Sequence, residues 1–106
     1  MADKTISGRR KACKDMNEVR EAIDALDRQI VALLADRLHF INEAGRLKAS
    51  RDAVRDEARV EDVVAKVRQA ATSAGIDPDF VEPLYRDLVE RSIGHEFNVF
   101  DRLHKS

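Results

Sequence analysis

Residues 19–48 read VREAIDALDRQIVALLADRLHFINEAGRLK, with no proline and no glycine before Gly45. The large apolar side chains fall at Val19, Ile23, Leu26, Ile30, Leu33, Leu34, Leu38, Ile41, Ala44 and Leu47. Intervals of three and four line one face of an α-helix. Asp15 or Asn17 can cap its start, and Glu18 and Glu21 suit its positive end. The pattern predicts a helix to about Ser50, roughly 50 Å long at about 1.5 Å per residue. The short remainder of the chain cannot cover so long a stripe. A partner helix of similar length is needed, and the same helix in a homodimer is the obvious candidate.

Two cations, Arg37 and Lys48, sit in the apolar register. They are eleven residues apart, which places them within roughly 20° of one face and about 16 Å apart along the axis. A buried charge is costly unless something pairs with it. Two long cationic side chains bending inward from the ends of such a gap suit a small dianion. The alternative is that both stems lie on apolar surface with their heads in water.

The remaining segments also read as helix. Ala49 to Asp56 is charged and poor in apolar residues, as expected of a loop. A second helix is predicted from about Asp56 to Ala74, with the stripe Val60, Val63, Val64, Val67 and Ala71, stopped by Gly75. Asp77-Pro78 is a start signal, a capping carboxylate followed by proline at the first helical position. The third helix is predicted to reach about His104, with Leu84, Leu88, Ser92, Glu96, Val99 and Leu103 inward. Pro83 removes a backbone donor beyond the first turn, so either the helix bends there or a short turn precedes it. Glu96 is an acid in a core-facing register; alone it reads as a salt-bridge partner. No alternating run or hairpin signal occurs, so the fold class is all-α, long-short-long. Residues 1–14 lack periodicity and read as a flexible tail, leaving 15–106 as the helical domain.

Composition narrows the function. The chain has 106 residues, enough for one modest core. Charged residues make up 37% with a net charge of −1, and the signs are interspersed. That argues against a nucleic-acid footprint; the run Arg9, Arg10, Lys11 reads as a solvated terminus. One cysteine, Cys13, allows no intrachain disulfide and fits a cytoplasmic setting. Nothing resembles a signal peptide or a membrane span. His39, His95 and His104 are scattered without metal-ligand spacing, and no glycine-rich phosphate loop is present. No metal or cofactor is expected.

The runs Val19 to Asp27, Leu33-Leu34-Ala35-Asp36-Arg37 and Gly45-Arg46-Leu47-Lys48 resemble the all-α chorismate mutase family. Val54-Arg55-Asp56, Arg59, Gly75-Ile76-Asp77 and Phe80-Val81 fit the same pattern, and the resemblance covers roughly residues 17 to 104. Within the family the chain is similar to the isochorismate-pyruvate lyases, notably in Arg20-Glu21-Ala22-Ile23-Asp24 and Lys48-Ala49-Ser50. The resemblance implies a homodimer intertwined through the first helices, with two identical sites. It assigns Arg37 and Lys48 to gripping a dianionic substrate, and Arg20 to crossing into the partner's site. Asp56 and Ser92 match positions near a ring hydroxyl and a carboxylate, and Arg59 one at the site's edge. Glu96 stands where many members carry glutamine, and Val60 where many mutases carry a glutamate. Helix arithmetic agrees with the crossing. Arg20 and Arg37 are seventeen residues apart, about 25 Å and roughly 100° round, so one helix cannot offer both to one small molecule.

The implied reaction is the rearrangement of chorismate to prephenate, with Lys48 and Glu96 donating to the ether oxygen. A carboxylate cannot donate, so Glu96 must carry a proton there. Burial and a nearby dianion favour the protonated form and Lys48 opposes it. The same cations would suit an isochorismate-pyruvate lyase, and Val60 fits that reading while Ser92 fits the mutase. A mutase of the 4-amino analogue of chorismate is a further option. A different class, a non-catalytic helical dimerisation module, predicts that Arg37 and Lys48 do nothing.

Overall fold

The structure is a computed structural model that describes residues 10–105. The tail expected over 1–14 lies partly outside these residues, as do Arg9 of the basic run and Ser106. Helix α1 spans Met16–Leu47, a 3₁₀ turn Arg51–Ala53, α2 Glu57–Ala74 and α3 Pro78–Leu103. No strand occurs among the described residues, so the fold is all-α, long-short-long. No helix among them is long and apolar enough to cross a membrane. Contacts divide the chain into two compact units, one ending at Asp36 and one beginning at Arg37.

The helix boundaries follow local chemistry. Asp15 Oδ1 accepts from the Glu18 amide at 2.9 Å, and Asp56 caps α2 by accepting from the Arg59 amide at 3.1 Å. Gly75 closes α2 at φ 79°, where a Cβ would be strained, and its amide donates back to Thr72. Asp77 caps α3 ahead of Pro78. Pro83 lies inside α3 and the helix runs unbroken through it, so no separate short turn precedes the main helix. The carbonyl that loses its donor belongs to Asp79, on an exposed turn where water can replace it.

In the first unit, the apolar stripe of α1 is exposed. Ile23 and Ile30 are half exposed, and Leu26 and Leu33 are also exposed. In the second unit α2 packs on α3. Val54, Val60, Val89, Ile93 and Phe100 form the core cluster, flanked by Val63, Tyr85 and Phe97. The inward face of α3 matches the sequence reading at Ser92, Glu96 and Val99 and departs from it at the ends of the stripe. Leu84 and Leu103 are exposed, while Val89, Ile93 and Phe100 are buried. Both stripes share the 3.6-residue period, and packing on α2 selects the one rotated toward Val89 and Ile93.

Gly45 permits the closest approach in this unit. A Cβ there would stand 2.9 Å from Val99 Cγ1 and 3.3 Å from the Glu96 carbonyl. Val99 is 2% exposed and has nowhere to move. Alanine gains up to about 1 kcal/mol of helix propensity, but overpacking a fixed core costs roughly 1–3 kcal/mol. Gly45→Ala is therefore expected to lower the urea midpoint, by a net loss of about 1 kcal/mol. A midpoint equal to that of the parent would contradict the close approach.

The surface of this unit is tied by ion pairs. Arg86 donates to Glu61 at 3.0 Å and to Glu82 at 2.8 Å, and Arg55 donates to Glu90 at 2.7 Å. Hydrogen bonds from these arginines hold all three carboxyls below the usual glutamate range. A depressed folded value adds stability above the unfolded value, about 4.3, and loses it as pH falls through the folded value. Exposed pairs contribute little and salt screens them. The melting temperature is expected to fall between about pH 5 and pH 3, and part of that loss should vanish in about 0.5 M salt. Identical loss at low and high salt would exclude these pairs as its cause.

Candidate active site

A cavity of about 480 Å³ opens in the second unit between the end of α1, α2 and α3. Its apolar wall includes Ile41, Val54, Val60, Val89 and Ile93, and its polar groups are Arg37, Lys48, Asp56, Arg59, Ser92 and Glu96. The volume suits one small metabolite rather than a macromolecule.

Arg37 reaches it from within α1, and Lys48 from the residue just past its end, about three turns further on. Arg37 Nη1 donates to Ser92 Oγ at 2.7 Å, and Ser92 Oγ donates to the Leu88 carbonyl at 2.7 Å. The Arg37 guanidinium carbon lies 5.5 Å from the Tyr85 ring centroid. Among the described residues Arg37 makes no ion pair. Its charge therefore faces a neutral hydroxyl and a ring, with capacity left for an anion. Lys48 Nζ donates to Glu96 Oε2 at 2.7 Å; the Glu96 side chain is 7% exposed and the Lys48 side chain 32%. One polar residue per turn of α3 faces this space, Ser92 and then Glu96, beside the apolar Val89 and Ile93 of the same helix.

Four of the sequence-derived residues thus meet through direct side-chain bonds: Arg37 with Ser92, and Lys48 with Glu96. Asp56 and Arg59 also line the cavity. Asp56 caps α2, and Arg59 is exposed and donates to Asp62 at 2.7 Å. Arg20 is exposed on α1 in the first unit and is not a lining residue. Tyr85 escaped the sequence reading, and Val54 entered it only in the run that resembles the family, with no part in the site. Tyr85 stands seven residues before Ser92 and so shares its helical face, a signal that was available. Val54 lies in a short connection without periodicity.

The described residues thus form an all-α fold whose second unit opens a cavity lined by three cations and two acids. The family described as chorismate mutase type II matches residues 19–97, and the chain belongs to that family. It is 32% identical over 84 residues to the isochorismate pyruvate lyase of Pseudomonas aeruginosa, covering 79% of this chain and 83% of that protein. It is 28% identical over 83 residues to the T-protein of Enterobacter agglomerans. It is 32% identical over 76 residues to the bifunctional chorismate mutase/prephenate dehydratase of Escherichia coli K12. The chain spans only 22% and 20% of the lengths of those last two proteins.

Proposed function

We propose that the chain rearranges chorismate to prephenate in a site shared by two copies of itself. The observation that carries this reading is the meeting of Lys48 and Glu96 at 2.7 Å in the cavity wall, with Arg37 alongside. The reaction is unimolecular. One C–O bond breaks as one C–C bond forms, and no atom is gained or lost. The task is to fold a flexible dianion into its reactive chair and to stabilise negative charge on the departing ether oxygen.

Arginine suits the first part, because its planar fork grips a carboxylate in two places. Arg37 holds one carboxylate of the substrate with Ser92 beside it, and Arg20 of the partner copy supplies the second grip. Restricting the dianion in this way removes several kcal/mol, up to about 10, from the barrier. Lys48 and protonated Glu96 donate to the ether oxygen, in a wall lined by valine and isoleucine where oriented donors act more strongly than in water. Asp56 orients the ring hydroxyl, and Arg59 lies at the entrance. The uncovered stripe of α1 supports the dimer, because exposed Ile23, Ile30 and Leu33 need a matching apolar surface.

A second reading is isochorismate-pyruvate lyase. It is favoured by the relative that bears that name and by Val60, 7% exposed, which gives the cavity wall an apolar surface with no hydroxyl partner. Incubation with chorismate and, separately, isochorismate decides between the two. Prephenate from chorismate supports the mutase. Salicylate and pyruvate from isochorismate, with no prephenate from chorismate, would replace it with the lyase.

A further inference from the structure

The connection from Lys48 to Asp56 carries cavity residues at both ends and one, Val54, within it. Two arginines flank Val54, and each makes a two-pronged bond to α3. Arg51 Nε and Nη2 donate to the two Asp101 oxygens at 2.9 and 3.3 Å, with its guanidinium 4.5 Å from the Phe97 ring centroid. Arg55 Nη1 and Nη2 donate to the two Glu90 oxygens at 3.2 and 2.7 Å. Glu90 and Asp101 are eleven residues apart, within roughly 20° of one helical face and about 16 Å along it. Ser92 and Glu96 lie between them in the same helix.

We infer that Arg51 and Arg55 are positioning residues. They clamp the connection along α3 and thereby set Lys48, Val54 and Asp56 against Ser92 and Glu96. The inference rests on the proposed function for its kinetic arm. The clamp has the properties of a geometric device rather than a store of stability. Its arginines are 60% and 41% exposed, and exposed pairs contribute little to folding. A bidentate fork fixes orientation as well as distance. Only one side chain in the connection, Val54 at 4% exposed, is anchored by the core. The Lys48 amide donates to the Ala44 carbonyl at 3.0 Å, and beyond it two amides are tied locally, Ala53 to the Ser50 carbonyl and Val54 to the Arg51 carbonyl, both at 3.1 Å. Without the forks, Lys48 loses the constraint on its C-terminal side, and a misplacement near 1 Å costs about 10²-fold in rate.

The test uses the full chain as Arg51→Ala, Arg55→Ala, the double variant, Arg55→Glu, and Arg55→Glu with Glu90→Arg. Two readouts are taken: hydrogen exchange by mass spectrometry over residues 49–56, and kcat and KM with chorismate. The clamp predicts faster exchange at Ala53 and Val54 in the double variant, with α2 and the middle of α3 unchanged. It predicts a fall in kcat of about tenfold or more, against a melting temperature lowered by only a few degrees. The charge exchange should restore most of what Arg55→Glu loses. Unchanged exchange, or kcat within about twofold of the parent in the double variant, overturns the inference. If the double variant does not fold, equal kcat in Arg55→Glu and in the charge-exchanged pair overturns it. A parent chain that turns over neither chorismate nor isochorismate sinks the proposed function instead, and the exchange arm still judges the clamp.

Discussion

Lys48→Ala and Arg37→Ala are each expected to lower kcat/KM for chorismate by about 10³-fold while far-UV circular dichroism stays helical. Removing one oriented donor from a developing oxyanion costs about 10²–10³ in kcat. Lys48 also holds a substrate charge, so KM should rise as well. The two variants should differ in stability. Arg37 bonds a neutral hydroxyl, so its loss leaves Ser92 still donating to Leu88. Lys48 bonds a carboxylate whose side chain is 7% exposed, and its loss leaves that charge unpaired. Lys48→Ala should therefore melt lower than Arg37→Ala. Turnover at the parental rate in either variant would return both cations to the role of solvated stems.

The second large effect concerns pH. If Glu96 donates to the ether oxygen, only its protonated form is active, and a proton is lost from the competent site as pH rises. On the alkaline side kcat/KM should fall about tenfold per pH unit. Glutamine donates at every pH, so Glu96→Gln should hold its activity there and exceed the parent at high pH. The groups facing Glu96 are Lys48 from the end of α1, with Arg37 and Ser92 along the same wall and Asp56 and Arg59 from the start of α2. A Glu96→Gln variant that keeps the same alkaline decline would remove Glu96 from that role.

The architecture was legible where a residue's own backbone or a long period decides it. Gly75 announces a left-handed closure, Asp77-Pro78 an opening, and the stripe from Val19 to Leu47 one long helix. The rotation of α3 was not legible. Leu84 and Leu103 continue the same period as the buried Ser92, Glu96 and Val99 yet are exposed, and only the packing of α2 brings Val89, Ile93 and Phe100 inward beside them. In the site, Arg37 and Lys48 stand out because a cation in an apolar register needs a reason. Their partners Ser92 and Glu96 were found by the matching oddity on α3. The forks of Arg51 and Arg55 were hidden, because a connection of nine residues carries no period and its arginines resemble ordinary surface charge.

Mixing two inactive variants tests most directly whether each site is completed by a second copy of the chain. Arg20→Ala and Arg37→Ala are purified separately, unfolded together and refolded as an equal mixture. In a mixed dimer one site carries both substitutions and the other carries neither. Random pairing makes half of the dimers mixed, so the mixture should regain roughly a quarter of parental activity. A mixture no more active than its two components would contradict a shared site.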